Sequence, residues 1–450
     1  MKHQIETESV DRILLKETRH KLWNLSWPAM ISGLSVPILG LIDTAIVGRY
    51  GVPTALGAVA LGSWLFDLIY WSFGFIRMGT TGLVSQARGR GEFDTLRPLL
   101  ARPLIIGIGL GVLVVLLSYI VSPIALSFIA GTDGSVERKS LIEISLAYFR
   151  SRLLGGPAVL ANYALIGWLL GMGEAKRALI MQLGLNLSNA FLSMWWGGYY
   201  GVEGIGFASA VSQWLTALYW GRRVWFHECP PLPWLALKKE LLDRASWLRL
   251  LTLHLNLWLR TCLLLSCFGL INAVSSRLGT LILSANALLL HLQSLQAFAL
   301  DGFAHGAEVI VGECLGAEDK RGYVRALRVG IEWTMLTAFG ISLLYFLCGE
   351  SLLRQLTHHQ NVVKETLNYL NWAILSPIIS APCFLLDGVM IGAVRTRAMR
   401  NSMILSTLAL LISLIICVPQ LANDGLWLSF LFFMSVRCCT LLPTAFKLAK

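Results

Sequence analysis

Long apolar runs with few charges recur along the chain at about 24–47, 55–86, 101–124, 143–171, 178–199, 202–221, 249–275, 281–312, 329–348, 366–390, 402–419 and 425–446. Each is long enough to cross a hydrocarbon layer of about 30 Å as a helix. Several exceed that thickness, which implies tilt or extension beyond the membrane. The longest polar connection, 222–247, contains the segment ECPPLP and then a short amphipathic piece around 235–242. It divides the runs six and six. The pattern predicts an all-α polytopic membrane protein with twelve transmembrane helices in two six-helix lobes. The expected organisation is an N-terminal segment (1–22), an N-lobe (23–222), an inter-lobe linker (223–247), a C-lobe (248–446) and a tail (447–450).

Internal similarity supports two copies of one unit. Arg49-Tyr50-Gly51 and the following ALGAVAL match Arg277-Leu278-Gly279 and ILSANAL at an offset near 228. Gln86 and Gly89 match Glu313 and Gly316 at offset 227, and GWLLG at 167–171 matches GVMIG at 388–392 at offset 221. Six is an even number, so both copies enter the membrane from the same side. The lobes should then be pseudo-symmetric about an axis along the membrane normal. The 41 glycines would let helix backbones approach closely.

Charge fixes the orientation. Of the 37 Lys and Arg, 24 fall in one alternating set of loops and termini and 6 in the other. The positive-inside rule therefore puts both termini in the cytoplasm, as an even number of spans requires. The net charge of +11 lies in these loops, which argues against a nucleic-acid partner. Residues 1–21 include Glu6, Glu8, Asp11 and Glu17 and no apolar core, so no cleavable signal peptide is expected. The nine cysteines fall mostly within apolar segments and read as packing residues.

Polar groups inside the spans are the candidates for chemistry. Asp43 sits within LSVPILGLIDTAIVGRYG, downstream of Pro28 and Pro37. A lone charge at bilayer depth costs at least about 2.5–3.5 kcal/mol, so a carboxylate there is a functional site by default. The prolines each remove a backbone donor and make the helix bendable. Asn162, Asn186, Asn189, Ser193 and Ser209 form a second set. Asn189 and Ser193 are four apart and share a helix face. Such oxygens can ligate a cation or bond a carboxylate, and they serve equally well as interhelical polar contacts. Asp301, His305 and Glu308 share a face of the eighth span, with Glu313 nearer the cytoplasm and Asp387 on the tenth. One helix offers a line of ligands and no closed metal site, so a polar cavity wall, a substrate site or a second proton site is expected there, with a purely structural pairing as the alternative. Asp67, His254 and His291 stand alone and read as structural. There is no GxxxxGK[ST] and no HExxH, so neither ATP hydrolysis nor another enzyme activity is expected.

The segments LSWPAMIS and DTAIVGR, RMGTTGLVSQA, PAVLANYALIGWLLGMGEAK, NLSNAFL, ALDGFAHGAEV and LLDGVMIGAVRTRAMRNSM resemble the multidrug and toxic compound extrusion (MATE) family, in particular its DinF-like branch. The resemblance runs through nearly the whole chain. It implies two six-helix lobes, alternating access, and export of organic cations or other amphiphiles against inward H+ or Na+. No cofactor is implied beyond that coupling ion. The family's coupling carboxylate falls on Asp43, its bending proline on Pro28, and its supporting polar residues on Asn162, Asn189 and Ser209. Many prokaryotic members carry a second carboxylate where this chain has Ser193. With one full charge fewer, the N-lobe is expected to favour H+ over Na+. The implied location is a bacterial inner membrane, and the chain is expected to work as a monomer. The alternative within the wider superfamily is a flippase for lipid-linked oligosaccharides. It would need a broad cationic cavity, for which only Arg150, Arg152 and Arg260 stand out as interior guanidiniums.

Overall fold

The structure, a computed structural model, describes the backbone of residues 2–50, 53–130 and 136–450, and the side chains of 12–35, 46–48, 55–124 and 139–450. The side chains of Asp43 and Pro37 lie outside the described residues. The helices in chain order are α1 (Lys2–Tyr50), α2 (Pro53–Trp71), α3 (Phe75–Arg90), α4 (Leu96–Ala130), α5 (Val136–Leu153), α6 (Gly156–Gly171) and α7 (Ala175–Arg223). They continue as α8 (Trp234–Leu242), α9 (Arg244–Leu278), α10 (Thr280–Gly316), α11 (Lys320–Leu356), α12 (Gln360–Asn368), α13 (Leu370–Gly392) and α14 (Thr396–Ala449). No strand occurs among the described residues.

Among the described residues, by length and apolarity alone, seven stretches can cross a membrane, and the bent pair α5–α6 makes an eighth. The remaining spans have physical reasons for escaping such a test. In α7 the backbone leaves helical geometry at Gly201 (φ 59°, ψ −138°), and Asn189 meets Ser209 across the fold-back. In α14 it does so at Ala422 (φ 48°, ψ −122°), and Ser402 meets Thr440. Each of these helices is therefore a two-span hairpin. The polar residues of α7 dilute its apolarity, and much of the apolar run of α1 lies outside the residues whose side chains are described. Counted this way, the twelve expected spans are present.

Two compact units divide the chain: Leu34–Ala87 with Glu92–Leu250, and Met1–Gly33 with Arg88–Gly91 and Leu251–Lys450. In the first, the amino-terminal unit, the linker is tied down by arginines. Arg97 lies over the Trp225 ring and donates to the Trp225 carbonyl at 2.9 Å, while Arg102 donates to the Glu240 carbonyl at 2.5 Å. Asp243 caps α9, accepting from the Ser246 hydroxyl at 2.5 Å and the Ser246 amide at 3.0 Å. Those bonds hold its carboxyl below the usual carboxylate range. The cap's contribution is therefore present above the ordinary carboxylate pKa and fades as pH falls through the lowered one.

In the carboxy-terminal unit, the leading part of α1 packs along α10 and α11. Trp23 lies against Phe303 and Trp333, and a side chain at Gly302 or Gly306 would strike Met30 or Ser26. Lys21 and Arg88 both reach Glu313, at 2.7 and 2.6 Å, and Arg19 reaches Glu332 at 2.7 Å. Such part-exposed pairs are each worth about 1 kcal/mol or less and orient more than they stabilise. Deeper in this unit, Asn286 and Asn423 bond reciprocally at 2.7 and 3.1 Å. Ser275 and Trp427 complete that polar knot beside the Ala422 turn.

The repeat is visible in backbone detail. Added side chains at Gly167 and Gly171 would run into the carbonyls of Arg77 and Thr81 of α3. At Gly388 and Gly392 they would run into those of Ala304 and Glu308 of α10. Both members of each contact are related by the offsets 221 and 227 read from the sequence. Left-handed residues recur at the same offsets: Gly91 and Glu318, Gly173 and Val394, Gly201 and Ala422. One copy uses glycine at all three turns and the other does not. A β-branched residue at φ 55°, as at Val394, is strained. Val394→Gly is expected to raise the melting temperature of the detergent-solubilised protein, through about 1 kcal/mol of relieved strain less the contacts of a half-buried side chain. A lower melting temperature would show that those contacts outweigh the strain.

Candidate functional site

The polar set of the amino-terminal unit forms one relay, Ser193–Asn189–Ser209, and a separate pair, Asn162–Gln213. Asn189 donates to the Ser209 hydroxyl at 2.8 Å, and Ser193 donates to the Asn189 carbonyl oxygen at 3.2 Å. All three are buried, because the hairpin at Gly201 faces the two arms of α7 inward against each other. One turn beyond Ser209, Gln213 accepts from the amide of Asn162 on α6 at 2.7 Å. Asn186 instead donates to the Ser35 hydroxyl of α1 at 2.8 Å. The arrangement thus brings Asn189, Ser193 and Ser209 together, pairs Asn162 separately with Gln213, and attaches Asn186 to the helix that carries Asp43. The carbonyl oxygen of Asn162 is buried and has no hydrogen-bond partner among the described residues. A buried acceptor left unpaired costs about 1–3 kcal/mol, so it is a place where a proton donor or a cation is favoured.

Gln213 was not singled out from the sequence. Its signal was present: it lies four residues after Ser209 and so on the same helix face. Pro28 is buried in α1, which continues as helix on both sides of it. A proline there leaves the carbonyl four residues earlier without its helical donor, a point of weakness in an otherwise uninterrupted element.

The acidic groups of the carboxy-terminal unit separate into two places. On α10, His305 Nδ1 lies 3.4 Å from Glu308, whose side chain is 1% exposed and whose other oxygen has no hydrogen-bond partner. Asp387 of α13 is instead held by two buried guanidiniums, Arg260 of α9 and Arg437 of α14, the latter at 2.5 Å. Asp301 is near enough to Arg437 to act on it electrostatically. Arg437 thus joins the interior guanidiniums expected from the sequence. Among the described residues, no group of three or more His, Cys, Asp or Glu is arranged to hold a metal ion.

Comparison with known proteins gives these positions a setting. The family model for MatE matches residues 28–214 and 257–419. The chain belongs to the MatE family. The two matched segments lie one in each half and include every candidate site residue named above except Arg437, which falls beyond the second segment. The DNA damage-inducible protein F of Escherichia coli K12 is 34% identical, over 92% of this chain and 89% of its own. The multidrug resistance protein PmpM of Pseudomonas aeruginosa is 27% identical over 44% of this chain and 42% of its own. A crystal structure of a MATE protein in a bent conformation superimposes with a TM-score of 0.86 at 18% identity, covering 97% of this chain and 96% of that one. The MatE fold is therefore a multi-pass membrane fold for this chain as well.

Proposed function

We propose that this MatE protein is a secondary active antiporter of a bacterial inner membrane, with both termini cytoplasmic. It exports organic cations and other amphiphiles in exchange for H+. The observation that carries this reading is the buried relay of Ser193, Asn189 and Ser209 beside the Asn162–Gln213 pair, whose buried Asn162 oxygen has no hydrogen-bond partner among the described residues, in the unit that also contains Asp43. Multidrug resistance proteins among its relatives support the substrate class.

Asp43 is the coupling group in this reading. Ionised, it leaves the unit able to accept a cationic substrate. Protonated from the outside, it becomes a hydrogen-bond donor, for which the unpaired Asn162 oxygen is a natural acceptor. The relay then re-pairs, α1 bends at its weak point near Pro28, and the substrate leaves outward. The charge balance favours H+ over Na+, because Ser193 and its neighbours add only neutral oxygens to one carboxylate. Of the interior guanidiniums, Arg152, Arg260 and Arg437 are each tied to a carboxylate and Arg150 lies over the Tyr119 ring, which favours a cation exporter over a flippase for phosphate-linked glycans. Glu308 and His305 form a second proton site in the other unit, and Asp387 is a charge partner of arginines. No cofactor is needed, and a single chain is the working unit.

The test is export of ethidium from proteoliposomes holding the full chain, under an imposed pH gradient alone and a Na+ gradient alone. Accumulation driven only by the pH gradient is expected. Na+-driven accumulation would overturn the choice of ion, and indifference to both would overturn antiport.

A further inference from the structure

We propose that Trp64, Asp67 and Trp71 of α2 form a binding face for a lipophilic organic cation, with Arg152 as the fixed base of the carboxylate. This rests on the reading above that the chain carries organic cations, and it assigns them a place on α2.

Three observations converge. First, α2 and α3 together make one candidate span, Ala55–Arg90, whose helix is interrupted at 72–74, close to its middle. The pair α5–α6 bends by 49° beyond Leu153, and Tyr70 stands against Gly156 just past that bend. Two discontinuous helices thus meet at mid-span inside one unit, the arrangement on which secondary transporters build substrate sites. Second, Asp67 lies one turn before the first interruption and keeps 67% of its side chain accessible. A carboxylate at that depth is not stable against hydrocarbon, so this face of α2 meets water or a polar ligand. Third, Arg152 cannot serve as the outward group. It is 17% exposed, sits 3.2 Å from Asp67 and 3.2 Å from the Tyr148 hydroxyl, and lies over the Phe66 ring at 4.1 Å. The pair is neutral as a whole, with its negative end turned outward.

Trp64 and Trp71 flank Asp67 at three residues before and four after, so all three share one helix face. Both indoles are more than half exposed. They are separated by roughly 10 Å along the axis, the span of a triaryl or polycyclic cation. A poorly hydrated cation there gains a carboxylate and two indole faces, each of which attracts positive charge. The repeat-related positions in the other half carry Ser294 and Ala373 in place of Asp67 and Arg152, so this device belongs to one unit only.

The experiment is equilibrium binding of tetraphenylphosphonium, and of neutral triphenylphosphine oxide, to the full-length protein in detergent without any gradient. Asp67→Asn is expected to weaken the cation by about tenfold or more and leave the neutral compound unchanged. Asp67→Glu should restore most of the loss. Trp64→Leu and Trp71→Leu, which leave the ion pair intact, should each weaken the cation by about threefold to tenfold. Unchanged cation affinity in Asp67→Asn, or equal loss of both compounds, overturns the proposal. If Asp67→Asn does not fold, unchanged affinity in the double variant W64L/W71L overturns it instead. Binding that depends on Asp67 without transport under any gradient would sink the antiporter reading and leave this face standing. Gradient-driven export with no dependence on these residues would do the reverse.

Discussion

Asp43→Asn is expected to abolish uphill export while leaving a protein that elutes and melts like the wild type. Asparagine keeps the shape and a hydrogen-bonding carbonyl but can no longer gain or lose a proton near neutrality. One pH unit of gradient offers about 1.4 kcal/mol per proton. With one proton exchanged per substrate, that supports a tenfold accumulation. A carrier without its proton site cannot draw on this gradient and should reach no accumulation at all. Because a ligand shifts a two-state equilibrium only through differential affinity, removing the titrating group also removes the pH dependence of the conformational balance. Tetraphenylphosphonium binding at the Trp64–Asp67–Trp71 face should persist within a few-fold in the same variant. The measurement is accumulation of ethidium in proteoliposomes at several imposed pH differences. Wild-type accumulation in Asp43→Asn would remove Asp43 from the mechanism and redirect attention to Glu308 and His305.

What the sequence carried and what it hid follow from the range over which each signal acts. Spans and repeat are encoded continuously, as runs of about twenty apolar residues and as glycines at fixed offsets. The contacts of Gly167 with α3 and of Gly388 with α10 obey those offsets. Spacing on a single helix was also readable: His305 and Glu308 touch, and Ser193 bonds Asn189. Partners on different helices were not. Asp67 looked isolated because Arg152 lies 85 residues away on α5. Asp387 looked like part of an acidic wall with Asp301, yet its bonds go to arginines on α9 and α14. The turn at Gly201 hides within WWGGYYGVEG, where four glycines are equal candidates by residue type and only the fold-back of α7 selects one.

The largest loss of stability is expected at Asp387. Its carboxylate is the shared counter-charge of Arg260 and Arg437, which are 7% and 5% exposed. Asp387→Asn leaves two guanidiniums facing each other without water or an anion to offset their charge. Breaking a buried ion pair from one side typically costs about 3–5 kcal/mol, because the charge left behind is uncompensated. Against the roughly 5–15 kcal/mol by which folded proteins are stable, that is a large share. The melting temperature of the detergent-solubilised variant and its yield of monodisperse protein should both fall sharply. The converse substitution separates structure from function. R260M/D387L/R437M replaces the whole triad with apolar groups of similar volume and should recover most of the lost stability. If the recovered triple variant still exports ethidium, the triad serves to hold α9, α13 and α14 together. If it is stable but inactive, the charges themselves take part in transport. A wild-type melting temperature for Asp387→Asn would mean that Asp301, already acting on Arg437, is able to take over as counter-ion.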